Sequence, residues 1–359
     1  MIIGGEHLQS IWYEPDIDTV CIIDQTRLPH EFEIISLSCL EDACDAITTM
    51  QVRGAPLIGV TAAYGVYLAL REDPQLIDTA IRGLLATRPT AVNLQWALQR
   101  VEKAMVDLAV EQRAAMALQM AQLIEKEDIA VCEAIGEHGV VILQEIWEDK
   151  RANQDRLNVL THCNAGALAT VDWGTALSVV YKSVAAGVPV HVWVDETRPR
   201  NQGAALTCWE LGQQGIPHTL VVDNAGGQLM QQGDVDLCLV GSDRTTLDGD
   251  VCNKIGTYLK ALAASDNGVP FYVAVPVSSI DFSSTQEAFP IEERSASEVS
   301  HVSGLDENGL VKQVRVAPAN VAVSNFGFDI TPARLVTGII TELGVFDASR
   351  ESLASIAAQ

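Results

Sequence analysis

Residues 158–194 have the sequence NVLTHCNAGALATVDWGTALSVVYKSVAAGVPVHVWV, and this stretch decides the fold class. It begins with an apolar run at Asn158–His162, continues through a helical segment at Gly174–Ala186, and ends in a second apolar run at Val188–Val194. A strand, a helix and a second strand in this order are typical of a βαβ unit, in which the two strands lie parallel in one sheet.

The same alternation continues along the chain towards the C-terminus. The further apolar runs lie at His218–Val222, Val235–Val240 and Pro270–Val275. Helical segments lie between the runs at Gly203–Gly212 and Val251–Ala264, and residues 277–315 read as a long loop. The pattern predicts an α/β fold with a doubly wound, Rossmann-like parallel sheet. We assign this sheet to a C-terminal domain over residues 151–359.

The first half of the chain has a different pattern. Short strands and turns are expected in the first 50 residues, with β-rich Thr19–Asp24 followed by a helix over Cys39–Met50. A second helix is expected over Leu57–Arg71, and residues 75–147 read as helical with one break at Arg88–Thr90. Polar residues at 150–155 then indicate a linker, so the prediction is a mostly helical N-terminal domain over residues 1–150.

The composition excludes several classes of partner. The chain of 359 residues has 47 acidic and 23 basic residues and a net charge of −24, which repels nucleic acid and anionic membranes. No apolar run is long enough to span a membrane, and Met1–Ser10 lacks the pattern of a signal peptide. None of the eight cysteines forms a C-x-x-C pair, which fits a reducing compartment. We therefore expect a cytoplasmic protein without nucleic-acid or membrane partners.

Polar or small residues follow all five apolar runs of the C-terminal half. These segments are His162–Gly166, Asp195–Arg198, Asp223–Gly227, Gly241–Arg244 and Pro276–Ser279. Ligands of open parallel sheets bind beyond the carboxyl ends of the strands. We therefore expect the five segments to line one crevice.

Two residues of this expected crevice could transfer protons. Cys163 precedes a small-residue turn into a helix, whose dipole can favour a thiolate, although a buried strand-end cysteine is an equally simple interpretation. Asp243 follows an apolar strand, where a carboxyl can keep its proton near neutral pH, or where it can simply stabilise a turn. His162 is adjacent to Cys163 in a strand, so we expect its side chain to point to the opposite side.

Several segments could bind a phosphate group. Arg53-Gly54-Ala55 offers a guanidinium and backbone amides at a helix start, and Arg88 precedes a proline at a chain break. Gln202 opens another helix, and Asn253-Lys254 lies near Asp243 in the sequence. There is neither a G-x-G-x-x-G motif after a strand nor a Walker lysine loop, which argues against dinucleotide and ATP chemistry. No histidine and carboxylate spacing suggests a metal site, so we expect neither cofactor nor metal.

At these same points the sequence resembles the methylthioribose-1-phosphate isomerases, which are similar in fold to regulatory subunits of the translation-initiation guanine-nucleotide exchange factor. The matching segments are Val52–Pro56, Arg88–Leu94, Thr161–Asn164, Glu196–Pro199, Gln202–Ala204, Gly241–Arg244, Asn253–Tyr258, Ile291–Arg294 and Phe328–Pro332. The resemblance runs in order from about Asp24 to about Phe346. As a set, these segments are highly specific to the family.

The resemblance implies an aldose–ketose isomerase of a phosphorylated sugar and a homodimer. It implies that Asp243 and Cys163 form the catalytic pair, with Asp243 acting as acid at the ring oxygen and Cys163 assisting at C2. It also implies substrate contacts at Arg53, Gly54, Ala55, Arg88, Gln202, Asn253 and Lys254. Two alternatives remain: an isomerase of 5-deoxyribose 1-phosphate or ribose 1,5-bisphosphate, and a non-catalytic regulatory subunit of the same fold.

Overall fold

The structure is a computed structural model that describes residues 1–89, 91–282 and 291–356. Its strands are β1 (Ile2–Ile3), β2 (Glu6–His7), β3 (Ile11–Glu14), β4 (Thr19–Ile23), β5 (Ile34–Leu37), β6 (Leu157–Thr161), β7 (Val190–Asp195), β8 (His218–Val221), β9 (Leu237–Val240), β10 (Arg244–Thr246), β11 (Val251–Lys254), β12 (Phe271–Ala274), β13 (Ile280–Asp281), β14 (His301–Leu305), β15 (Val311–Arg315), β16 (Phe328–Thr331), β17 (Gly338–Thr341) and β18 (Gly344–Phe346). Its α-helices are α1 (Leu40–Thr48), α2 (Ala55–Glu72), α3 (Ile77–Thr87), α4 (Val92–Met105), α5 (Arg113–Lys150), α6 (Ala176–Ala185), α7 (Cys208–Gln213), α8 (Ala225–Gln232), α9 (Thr257–Asp266), α10 (Ala296–Ser300) and α11 (Arg350–Ala354).

The N-terminal half is built around α2. This helix is apolar on nearly all sides, and its buried residues include Leu57, Tyr64 and Leu68, so it can lie only in the interior of a core. Helices α1, α3, α4 and α5 pack around it, and β3, β4 and β5 form a small antiparallel sheet beside it. The predicted helix over Cys39–Met50 and the predicted helix after Pro56 are confirmed.

The prediction of a single break within residues 75–147 is wrong. The chain leaves the helical path a second time after α4 ends at Met105, and a short 3-10 turn at Val110–Gln112 precedes α5. Helix α5 packs against both α4 and α2, so the chain has to reverse its path here to return along them. Val106 lies in this turn, and 71 % of its surface is exposed because no core residues pack against it there.

The C-terminal half contains the predicted parallel sheet. Its strands lie in the order β18-β17-β12-β9-β6-β7-β8, and all neighbouring pairs are parallel except β17 and β18. All five predicted strands are confirmed, whereas β17 and β18 were not predicted. Strand β9 is buried at every position, which explains its continuous apolar sequence: helices cover both faces of such a sheet.

Two predicted segments are corrected. The helix expected over Val251–Ala264 is a strand, β11, followed by the shorter helix α9, because β11 pairs antiparallel with both β10 and β16. The loop expected over residues 277–315 contains helix α10 and the antiparallel pair β14 and β15, joined through a turn at Asn308-Gly309. Asn-Gly is a strong hairpin signal, but the loop prediction assigned no strands on either side of it. Residues 283–290 of that segment lie outside the described part of the chain.

The long helix α5 belongs to both halves. Its first part contributes Ala117 and Ile124 to the N-terminal core, and its second part contributes Ile135 and Leu143 to the core under the parallel sheet. A domain boundary at residue 150 therefore stays a prediction. Among the helices of the described residues, none combines the length and apolar character needed to cross a membrane.

Candidate active site

A pocket lies between the start of α2 and the carboxyl edge of the parallel sheet. All residues predicted for the site line it: Arg53, Gly54, Ala55, Arg88, Cys163, Gln202, Asp243, Asn253 and Lys254. Its apolar wall is formed by Met50, Pro56, Ile58, Ala91, Pro276 and Phe328. The pocket thus combines cationic and proton-transferring groups with a hydrophobic surface, as expected for a small-molecule site.

The start of α2 is shaped for an anion. Gly54 caps the helix at φ 94°, a conformation that favours glycine, and a Cβ atom there would lie 2.3 Å from the carbonyl oxygen of Ala169. Unpaired backbone amides at a helix start, together with the neighbouring Arg53 guanidinium, attract negative charge.

Arg53 is held in place by hydrogen bonds to Asn164. Its Nη1 donates to Asn164 Oδ1 and its Nη2 donates to the Asn164 carbonyl oxygen, both at 2.6 Å. The Asn164 Nδ2 in turn donates to Glu210 Oε1 at 2.9 Å, and Glu210 is buried. Sequence analysis did not identify Glu210, because it lies in an ordinary helical segment and its role depends entirely on the tertiary contact.

Cys163 occupies a constrained position after β6. Its φ is 69°, an uncommon value for a residue with a side chain. Its N–H donates to Thr197 Oγ1 at 2.8 Å, and its carbonyl oxygen accepts from Thr207 Oγ1 at 2.7 Å. The expected helix start next to it is absent, since a 3-10 turn at Ala167–Ala169 follows and α6 begins only at Ala176.

The electrostatic surroundings of Cys163 and Asp243 favour their protonated forms. Burial raises the pKa of the Cys163 thiol, the nearby Asp243 raises it further, and Arg53 and Lys254 oppose the shift. Burial also raises the pKa of the Asp243 carboxyl, although Lys254, Arg53 and Arg88 each lower it. A carboxyl with a raised pKa keeps its proton to a higher pH than an ordinary aspartic acid does, which is the direction that a general acid requires.

The remaining polar groups of the pocket are suited to a phosphate. Lys254 donates through Nζ to the Gly327 carbonyl oxygen at 3.0 Å, and burial lowers its pKa. Arg88 lies 3.6 Å from Glu292, measured from Nη2 to Oε2. Within the described part of the chain, Arg88 Nε and Gln202 Oε1 are buried without a hydrogen-bond partner. Buried polar groups of this kind need a ligand or water to satisfy them.

The prediction that all five strand tips line one crevice is wrong for two of them. The carboxylate of Asp223 accepts from the N–H groups of Thr197 and Arg198 at 2.7 and 2.8 Å, so the segments after β7 and β8 pack on each other beside the pocket.

His162 lies outside the pocket, as predicted. Cys252 also lines the pocket, on strand β11 rather than on the predicted helix, and burial raises its pKa to about 12.

One group of possible metal ligands occurs among the described residues. Ligand atoms of His162, Asp195 and Asp223 lie within 4.8 Å of one another. However, the Lys260 Nζ lies 3.1 Å from Asp195 Oδ2 and already supplies a positive charge. We therefore describe this group as an ion-pair network and not as a metal site.

Comparison with known proteins gives a consistent result. The model of the Initiation factor 2 subunit family matches residues 51–348. The methylthioribose-1-phosphate isomerase of Methylobacterium nodulans is 58 % identical over 357 residues, covering 98 % of this chain and 97 % of that protein. The crystal structure of 5-methylthioribose 1-phosphate isomerase from Pyrococcus horikoshii OT3 has a TM-score of 0.82 at 37 % identity, covering 98 % of this chain and 96 % of that one.

A second solved structure is similar to a comparable degree. It is subunit delta of the translation initiation factor eIF-2B from A. fulgidus, with a TM-score of 0.81 at 39 % identity. The match covers 98 % of this chain and 100 % of that chain. The fold is therefore common to proteins described as enzymes and as initiation-factor subunits, and the site must distinguish them.

Proposed function

The chain belongs to the Initiation factor 2 subunit family and, within it, to the methylthioribose-1-phosphate isomerases, and from this premise we propose that the pocket described above is its active site. The protein is an aldose–ketose isomerase of methionine salvage that converts 5-methylthioribose 1-phosphate into 5-methylthioribulose 1-phosphate. The residues assigned to the reaction below are our proposal.

The substrate sets the chemical problem. Its phosphate ester blocks the anomeric carbon, so the ring cannot open freely to an aldehyde. Conversion to the ketose requires three changes: the bond between C1 and the ring oxygen breaks as that oxygen gains a proton, the hydrogen on C2 moves to C1, and the C2 hydroxyl loses its proton to become a carbonyl. An acid at the ring oxygen and a group beside C2 are therefore needed.

Asp243 is our candidate for the acid. The observation that carries the assignment is its buried carboxyl, whose pKa is raised although Lys254, Arg53 and Arg88 surround it. Protonated Asp243 donates to the ring oxygen as the C1–O bond breaks, and the proton released from the C2 hydroxyl restores the balance. We assign Cys163 to the C2 side, because it lies near enough to Asp243 for an ionised Asp243 carboxylate to raise the pKa of its thiol.

Arg53, Arg88 and Lys254 supply positive charge for the phosphate, and the amides after Gly54 donate to it. Gln202 and Asn253 provide polar contacts in the same pocket. The apolar wall that includes Pro56, Ile58 and Ala91 excludes water, which strengthens each charge interaction inside. We further propose that the protein is a homodimer and is cytoplasmic, on the basis of the family resemblance and the cysteine pattern.

The function is tested by assaying the purified protein with 5-methylthioribose 1-phosphate, 5-deoxyribose 1-phosphate and ribose 1,5-bisphosphate. The highest kcat/KM is expected with the first sugar. In the same assay Asp243→Asn should lose about a hundredfold or more of its activity, since general acid catalysis typically contributes that much. Asp248→Asn is the matched control, because Asp248 is paired with Arg350 outside the pocket.

Three outcomes would contradict the proposal. Preference for another of the three sugars would change the substrate, and no turnover with any of them would favour a regulatory subunit. Activity of Asp243→Asn within about tenfold of wild type, in a variant that unfolds at the same temperature, would remove the acid role.

A further inference from the structure

A buried histidine outside the pocket has hydrogen-bond partners on both sides of its ring. His162 follows β6 and is 1 % exposed. Its Nδ1 lies 2.9 Å from Asp195 Oδ2, and its Nε2 lies 2.9 Å from the carbonyl oxygen of Ile255. The reaction scheme above makes no use of this side chain, although it directly precedes Cys163 in the chain.

The two partners determine how many protons the ring carries. A neutral imidazole has one N–H donor and one bare nitrogen acceptor, and only the imidazolium donates from both nitrogens. The Ile255 carbonyl can only accept. Asp195 Oδ2 also lies 3.1 Å from the Lys260 ammonium, so this oxygen accepts from a cation and is not the site of a carboxyl proton. Both ring nitrogens therefore face acceptors.

The charges that surround the ring are compatible with a cation. Asp195 stands at the end of β7, the Asp223 carboxylate lies 3.9 Å from His162 Nδ1, and Asp329 of β16 is close enough to interact with the ring. Lys260 of α9 is the other cation that faces the group. Three carboxyl groups and one ammonium group thus surround the imidazole in the buried network.

The ring also supports the loop that follows β11. Gly256 passes over the imidazole at φ 106°, and a Cβ atom there would lie 2.9 Å from both Cε1 and Nε2 of His162. The preceding residue, Ile255, donates through its N–H to Gly327 at 3.2 Å. This loop begins directly after Asn253 and Lys254, both of which line the pocket. His162 therefore connects two segments: the turn that contains Cys163 and the loop that follows Lys254.

We propose that His162 is a positioning residue that donates from both ring nitrogens and so holds the Cys163 turn and the Lys254 loop at a fixed separation. The two donated hydrogen bonds follow from geometry alone, whereas the effect of His162 on turnover rests on the proposed function. One bond goes to Asp195 at the end of β7, and the other goes to the Ile255 carbonyl oxygen in the loop after β11. A neutral ring would lose one of these bonds and place a lone pair against an oxygen.

The protonation state is measured on the wild-type enzyme by NMR with 15N-labelled histidine. Both ring nitrogens of His162 are expected to carry protons in the folded enzyme at the pH of the activity assay. His191 is the internal control: it is also buried, on β7, its Nε2 lies 2.9 Å from Thr219 Oγ1, and burial lowers its pKa to about 4. A bare nitrogen on His162 at that pH would overturn the proposal. The His162→Gln variant assigns the signal.

The positioning role is measured by kinetics. His162→Gln should lower kcat/KM by about tenfold or more, with a higher KM from the displaced Lys254 and a lower kcat from the displaced Cys163. The matched His191→Gln should change neither by more than about twofold. Asp195→Asn removes the charged acceptor of the Nδ1 hydrogen bond, so this bond should weaken and kcat/KM should fall as in His162→Gln.

The outcomes are distinguishable. Normal kinetics in a folded His162→Gln variant would overturn the positioning role. If that variant does not fold, Asp195→Asn decides: unchanged kcat and KM in a folded Asp195→Asn variant would overturn the role as well. A doubly protonated His162 in a protein that turns over no pentose phosphate would refute the proposed function and leave the protonation state standing.

Discussion

Cys163 and Cys252 both line the pocket, and burial raises the pKa of both thiols, that of Cys252 to about 12. Lys254 opposes the shift at both thiols, as do Arg53 at Cys163 and Arg244 at Cys252, but of the two only Cys163 lies at the carboxyl edge of the parallel sheet. Thiolate is the form that reacts with alkylating agents. We therefore expect iodoacetamide to inactivate the enzyme mainly through Cys163, faster as the pH rises, and more slowly when the substrate is bound.

Mass-spectrometric mapping of the alkylated cysteine beside the loss of activity checks this prediction. Cys252→Ala is the matched control and should be inactivated like the wild type, whereas Cys163→Ser should bind the sugar phosphate and turn it over slowly. Inactivation that follows modification of Cys252, or near-normal turnover by Cys163→Ala, would show that Asp243 works with a different partner.

At the residue scale, the sequence predicted the members of the pocket better than their surroundings. Arg53, Gly54 and Cys163 stand at chain breaks and strand ends, where a local pattern is visible. Glu210 has no such pattern, and Glu292 lies in the matching segment Ile291–Arg294 without any local sign that it pairs with Arg88. Both contacts are made by segments far apart in the chain. The tertiary contacts that set the pKa of each group are likewise absent from any local pattern.

At the scale of elements, α5 is linked to the turn before α6 through a carboxyl with a raised pKa. Asp128 Oδ2 accepts from the Val171 N–H at 2.7 Å, and burial raises the pKa of Asp128 to about 7 despite this bond. The folded chain then holds this proton more tightly than the unfolded chain. The free energy of unfolding should therefore fall as the pH rises from about 4 to about 7, and the loss is complete above that range.

Asp128→Asn keeps an acceptor for Val171 and removes the ionisable group. We expect its Tm to exceed that of the wild type at about pH 8 and the difference to shrink at about pH 5. Thermal unfolding at both pH values measures this, with the exposed Asp107→Asn as a control for the loss of one negative charge. A variant that is less stable than wild type at the higher pH would show that the carboxylate is ionised and stabilising.

The elements themselves were predictable where the local pattern and the tertiary pairing agree. The five central strands are short apolar runs bounded by turns, and all are present. Val251–Lys254 is different: it carries a mixed sequence and becomes a strand only because β10 and β16 lie on both sides of it. Strand preference depends on such neighbours more than helix preference does, so this segment could not be assigned from its own residues.

For the whole molecule, the proposed reaction requires no metal ion. In that proposal Asp243 donates the proton, and Arg53, Arg88 and Lys254 supply the positive charge that a metal would otherwise bring to the phosphate. Activity should therefore survive exhaustive dialysis against EDTA, and added Mg²⁺ or Mn²⁺ should not increase it. Loss of turnover that a divalent ion restores would mean that the phosphate is bound through a metal.

Helix α5 has a mechanical consequence for the pocket between the two cores. Its 38 residues extend about 57 Å at the usual rise per residue, and the same unbroken rod is anchored in both cores. A hinge motion that moved the two cores apart would have to bend this helix and break its backbone hydrogen bonds. Entry and release of the sugar are therefore expected to involve smaller movements around the pocket, with α5 holding the two cores at a fixed distance.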